Sequence, residues 1–137
     1  MKPKIILMNL LSPLLYIPVE SSTLEYEPKD GEKLFCFELE ESEAQKFEPD
    51  KHHFPGSLIF VGKAPDMNEP AVLELKPGTY LFSQVREILN PRDIVDLAVE
   101  VHNEGLWQRL KLSKRLYIRF LFEDGRGVTQ IWRAFTR

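Results

Sequence analysis

Residues 115–135 read RLYIRFLFEDGRGVTQIWRAF, two runs of β-branched and aromatic residues on either side of Asp124-Gly125. A type I′ turn needs positive φ at both central positions, and Asp-Gly is among the pairs that tolerate it, so this stretch predicts a two-residue β-hairpin. The turn sets the register. Glu123 then faces Arg126, Leu121 faces Val128, Arg119 faces Gln130, Ile118 faces Ile131 and Tyr117 faces Trp132. Because side chains alternate across a strand, the pairs sort onto two faces. Leu116, Ile118, Phe120, Phe122, Ile131 and Phe135 make an apolar core face, with Arg133 as its impurity. Tyr117, Arg119, Leu121, Glu123, Arg126, Val128, Gln130 and Trp132 make a mixed face. A slip of one residue would exchange the two sets.

The rest of the chain supplies further strands and one helix. All ten prolines lie at or before Pro91, so regular structure is expected beyond it. Asn90-Pro91-Arg92-Asp93 has the form of a helix start: a capping amide, proline at the first position and an acid in the first turn. Ile94, Leu97, Ala98 and Val101 follow at helical spacing, which predicts an amphipathic helix over about 91–104. Leu106, Trp107 and Leu110 suggest one more helical turn before the hairpin. Upstream, strands are expected near 4–10 and 14–18, both buried on two faces because their apolar residues are almost continuous. Further strands are expected at 33–39, 57–63, 71–76 and 79–82, with a turn at 28–31 and a type II turn at Pro77-Gly78, around which the two short strands could instead be one bent strand. Short helical segments are expected at 41–47, capped by Ser42, and from Ser83 to Leu89. The sum is an α+β fold of one domain, 1–137. It has a mainly antiparallel sheet of about 6–8 strands, one principal helix and a C-terminal hairpin.

The N-terminal run has the outline of a signal peptide, with a basic start and an apolar stretch. Asn9, Ser12 and Pro13 interrupt it, and it is too short and broken for a membrane span, so folding into the sheet of a cytoplasmic protein is the expectation. The single cysteine, Cys36, fits a reducing compartment, and its apolar setting suggests an inert buried thiol. Charge is unevenly spread. Residues 1–107 carry 10 Lys+Arg against 19 Asp+Glu, whereas residues 108–137 carry 8 against 2. The basic end is expected to pair with the acidic stretch, within one molecule or across a homodimer.

Familiar chemistry leaves no signature. The phosphate loop, the dinucleotide fingerprint, the nucleophile elbow and the zincin motif are all missing. His52-His53, with Cys36 or His102 arriving from elsewhere, lacks the paired spacing of a structural zinc site, so no metal or cofactor is expected. The carboxylates between residues 38 and 50 read as a solvated run. Nucleic-acid binding has the basic end in its favour, but the helix is acidic on its polar side and would repel phosphate.

ELKPGTYLFSQ, a helix ending near Trp107, RLYIRFL and a last strand together resemble one half of the effector-binding domains of the gyrase-inhibitor-like group. The likeness spans about residues 74–135 and rests on a small strand with Pro-Gly-x-Tyr. It implies a doubled β-α-β-β unit with a ligand pocket between the halves. The acidic residue such domains place in the pocket strand is missing from 116–122, where Arg119 is the only charge.

The leading expectation is therefore a non-enzymatic domain that binds a small anionic or planar ligand, or a protein partner, through the mixed hairpin face. Tyr80, Trp107, Tyr117, Arg119, Gln130 and Trp132 are its candidate residues: aromatic walls with one cation and one amide. The competing expectations are a small hydrolase or transferase using Asp50, His52 and His53, and weak nucleic-acid binding by the basic end.

Overall fold

Asp124 and Gly125 take φ of 51° and 77°, the left-handed pair that a type I′ turn demands. They join the two longest strands, Lys111–Glu123 and Arg126–Thr136, in the register expected from the turn. The computed structural model describes residues 3–20, 24, 26–27, 31–39, 56–66 and 68–136. In chain order these form β1 (Ile5–Leu10), β2 (Leu14–Val19), β3 (Lys33–Leu39), β4 (Gly56–Lys63), β5 (Leu73–Leu75), β6 (Gly78–Val85), α1 (Pro91–Trp107), β7 (Lys111–Glu123) and β8 (Arg126–Thr136). The expected segments at 28–30 and 41–47, and the loop holding Asp50, His52 and His53, lie outside the described residues.

The eight strands make one antiparallel sheet in the order β1-β6-β8-β7-β3-β4-β2-β5, curled into a half-barrel. Two buried clusters lie on its two faces. Phe35, Phe37, Leu81, Leu116, Ile118, Phe120 and Ile131 meet Ile94, Leu97, Ala98 and Val101 of α1 on one side. Tyr16, Leu34, Leu75, Tyr80, Phe82 and Trp132 pack together on the other. Met8, Leu10, Leu14, Phe60, Leu73, Tyr117 and Ala134 join this second cluster, so all eight strands contribute to it. Residues from both ends of the sheet therefore meet there, which makes it the concave face.

The helix starts as its sequence demands: the Asn90 side chain accepts from the Asp93 N–H at 2.9 Å, with Pro91 at the first position. It runs past Gly105 to Trp107. A Cβ at Gly105 would lie 2.6 Å from Leu112 Cδ2 and 2.7 Å from Leu81 Cδ1, so glycine here lets the helix settle on the sheet. Among the described residues no helix is long and apolar enough to cross a membrane.

Several expectations need correction. Pro77-Gly78 does not turn one hairpin strand into the next. β5 pairs with β2, while β6 pairs with β1 and β8, so the short link joins opposite ends of the sheet. Gly78 adopts φ of 150°, outside the type II geometry. Ser83 caps no helix. It lies buried in β6 and donates to the Lys4 carbonyl at 3.0 Å. β1 and β2 are not buried on two faces, because β1 is an edge strand and β2 is next to the other edge. Leu7 and Leu15 are accordingly exposed. Phe122 leaves the core face near the hairpin tip, where its partner Gly127 offers no side chain to pack on. The β-α-β-β order survives as β6-α1-β7-β8, but the first half has no helix among the described residues, so the doubled unit is not formed there.

Arg133, the impurity of the core face, is buried against α1. A register shift in β7 between Leu112 and Leu116 frees the Ser113 carbonyl, which accepts from Arg133 Nε at 3.0 Å. Its Nη1 lies 3.2 Å from Nδ1 of the buried His102, and burial pulls the Arg133 pKa down to about 10.

Candidate functional site

The register brings two rows of side chains across the concave face. Gln84, Gln130, Arg119 and Leu34 stand side by side on β6, β8, β7 and β3, with Gly62 of β4 next in line. One step along, Phe82, Trp132, Tyr117, Cys36 and Phe60 form the second row. The first row is polar and the second aromatic.

The missing side chain at Gly62 gives the polar row its last member. A Cβ there would lie 2.7 Å from Tyr16 Cβ and 3.3 Å from its Cγ, so glycine makes the room that the Tyr16 ring occupies. The ring reaches inward, and its hydroxyl donates to Glu32 Oε2 at 2.6 Å and accepts from Arg119 Nε at 3.0 Å. Arg119 Nη2 donates to Glu32 Oε1 at 2.7 Å and Nη1 to Gln130 Oε1 at 2.9 Å. Gln130 Nε2 passes the chain on to Gln84 Oε1 at 2.7 Å, and Trp132 Nε1 donates to Gln130 Oε1 at 3.1 Å. Each guanidinium nitrogen of Arg119 thus has an acceptor, and one carboxylate balances its charge. Burial pushes the Tyr16 hydroxyl well above the usual phenol range, helped by Glu32 and opposed by Arg119. Burial works against the Arg119 charge, yet Tyr16 and Glu32 outweigh it and hold its pKa above the ordinary value. The arrangement is a rigid hydrogen-bonded floor of nearly zero net charge.

The aromatic row stands beside it. Tyr80 meets Trp132 edge-on at 5.6 Å and Tyr117 at 6.3 Å, while Phe82 packs on Trp132 at 4.7 Å. Such edge-to-face pairs hold one another in orientation. Tyr80 is pinned further by donating to the Lys76 carbonyl at 2.6 Å. Tyr117 remains half-buried, and burial pushes its phenol up to about 12. Cys36, beside it, is buried and its thiol is pushed up by that burial, the Arg115 guanidinium 3.4 Å away pulling the other way. This is an inert thiol rather than a nucleophile.

Five of the six expected residues, Tyr80, Tyr117, Arg119, Gln130 and Trp132, come together here. Trp107 does not. It ends α1, which packs on the other face, and is 83% exposed. Glu32, Tyr16 and Gln84 are members that sequence reasoning missed. Their contacts bridge 46 to 103 positions where they meet β7 and β8, and no local spacing encodes that. Two cations of the basic end pair with the acidic stretch, Arg119 with Glu32 and Arg115 with Glu38 at 3.2 Å.

Among the described residues no three His, Cys, Asp or Glu converge as a metal site. His102 is engaged near Arg133, on the opposite face from Cys36. Compared with protein-family models, curated proteins and solved structures, the chain finds no significant match.

Proposed function

We infer that the chain is a non-enzymatic binding domain whose working surface is the concave face around Tyr80, Tyr117, Arg119, Gln130 and Trp132. One observation carries this reading: mutually fixed aromatic rings stand directly beside a polar floor that is already hydrogen-bonded and charge-balanced. A flat molecule placed against Tyr117 would gain apolar contact without asking a charged group to reorganise. The same balance narrows the ligand class. An anion would have to displace Glu32 from Arg119, so a planar, uncharged ligand fits better than an anionic one.

Arg115 and Arg119 are paired with carboxylates, which makes these two cations of the basic end less available to phosphate. A hydrolase or transferase centred on Asp50, His52 and His53 gains no observation, since those residues lie outside the described ones. A cytoplasmic setting fits the lone, buried Cys36.

The test is a thermal-shift screen of uncharged planar heterocycles on the Trp107→Phe variant, in which Trp132 is the only tryptophan left. A true ligand raises Tm and changes Trp132 emission, and Tyr117→Leu abolishes both effects. If compounds that raise Tm leave Trp132 emission untouched, or none raises it, the concave face is structural and the reading fails.

A further inference from the structure

The two ends of the sheet are built differently. β5 is three residues long, carries Glu74 and has Pro70 and Pro77 close by, features that protect a strand edge from unwanted pairing. β1 is flanked by prolines too, Pro3 and Pro13, but it is twice as long and carries no charge within the strand. It is six residues of IILMNL without charge or proline, with Ile6 and Leu7 exposed. Its inner side pairs with β6, and among the described residues no strand lies on its outer side.

Alongside β1, on the side that α1 covers, two clefts of about 420 Å³ and about 250 Å³ share Pro3 and Glu100 in their walls. The helix lines them with Asp93, Asp96, Glu100, Asn103, Glu104 and Trp107. These positions recur at three or four residues, so they form one stripe. At about 1.5 Å per residue the stripe is ~21 Å long, close to the ~20 Å of a six-residue strand. Glu87 adds another carboxylate at the near end, and Trp107 closes the far end as an exposed aromatic wall.

We propose that β1 and this acidic flank of α1 form a strand-addition site for an extended, basic segment of a partner protein. The segment pairs its backbone with the outer edge of β1. Its alternate Lys or Arg side chains lie along Asp96, Glu100 and Glu104, and an apolar residue rests on Trp107. Strand addition takes affinity from main-chain hydrogen bonds and specificity from alternate side chains. Charge selects this occupant over a second copy of the chain. Two copies joined edge to edge through β1 would bring their acid-lined stripes toward each other, and like charges set together oppose association. The site lies across the sheet from the concave face, so its success or failure is independent of the reading above.

The test uses the full chain and a fluorescent peptide of alternating lysine and valine, about ten residues long to outreach an ordinary strand. Three controls accompany it: a glutamate–valine peptide, the lysine–valine peptide N-methylated at alternate amides, and the Asp96→Lys/Glu104→Lys variant. Salt-sensitive binding is expected for the first peptide alone. N-methylation and the double variant, its fold checked by Tm and circular dichroism, should each weaken binding about tenfold or more. Amide exchange should slow over β1 and not over β5 when peptide is present. Three results each overturn the proposal: equal binding of the N-methylated peptide, no binding of any peptide, or a dimer in ultracentrifugation that Leu7→Lys dissociates without any peptide binding.

Discussion

Arg119 and Glu32 sit 87 positions apart in sequence and 2.7 Å apart in space, and their side chains are only 14% and 24% exposed. Removing either partner strands the other in a poorly hydrated place. Glu32→Gln and Arg119→Gln should each cost about 2 kcal/mol, in the range for hydrogen bonds to charged groups. The double variant should cost less than the sum of the two, by about 1 kcal/mol or more for residues in one network. Urea unfolding of the four proteins measures the coupling, and simple additivity would show that the pair is incidental.

Gly62 is the next sensitive position. Its added Cβ would meet Tyr16 near its own backbone, at Cβ, and Ile17 O at 3.4 Å, neither of which a flexible tip can relieve. Gly62→Ala should therefore destabilise by about 2 kcal/mol, in the range of overpacked cores. A milder loss in the Tyr16→Gly background, which removes the clashing Cβ, would trace the cost to this contact.

What was legible in the sequence is what local chemistry decides. Asp124-Gly125 specifies its own turn, and the whole register from Glu123–Arg126 to Tyr117–Trp132 follows from it. Asn90-Pro91 announces α1 in the same way. Pro77-Gly78 is also local, but turn chemistry does not say which edge of a sheet each flanking strand will join. Ser83 to Val85 was open to a helical reading because only tertiary pairing with β1 and β8 makes it strand. Tyr16 and Glu32 were invisible for the same reason: each looks ordinary until the sheet curls.

Alkaline pH should unfold the protein through its phenols. Burial lifts Tyr117 from its ordinary 10.0 to about 12, and lifts Tyr16 as well. Above pH 10.0 the unfolded chain loses the Tyr117 proton while the folded chain keeps it, so stability falls as pH rises. This contribution is complete below 10.0 and lost as pH passes about 12. Arg133 works in the opposite sense, since burial lets the folded chain release its proton near 10, before the unfolded chain does. Tyr117→Phe should flatten the fall, read as Tm against pH, with phenolate absorbance following the ionisation. An unchanged slope would mean that Tyr117 titrates as it does in the unfolded chain.

Gly125 carries the turn with φ of 77°, where an L side chain is strained. Gly125→Ala should lower stability by about 1 kcal/mol, while Gly125→Asn should lose less, because asparagine tolerates the left-handed region. Thermal melts of both variants check the order, and the reverse order would deny the type I′ geometry.

The position of β8 bears on how the molecule can be made. It lies between β6 and β7, and so joins the β1-β6 pair to the five strands from β7 to β5. It is also the last of the eight strands to be synthesised. Until it leaves the ribosome, β6 has an unfilled side, and Tyr80 and Phe82 lack the Trp132 ring they pack against. The two parts of the sheet are then joined by the short β1–β2 and β5–β6 links and by α1. Closure of the sheet must then wait for β8, and a chaperone that shields open strand edges would have its longest task on this chain before that eleven-residue strand is made.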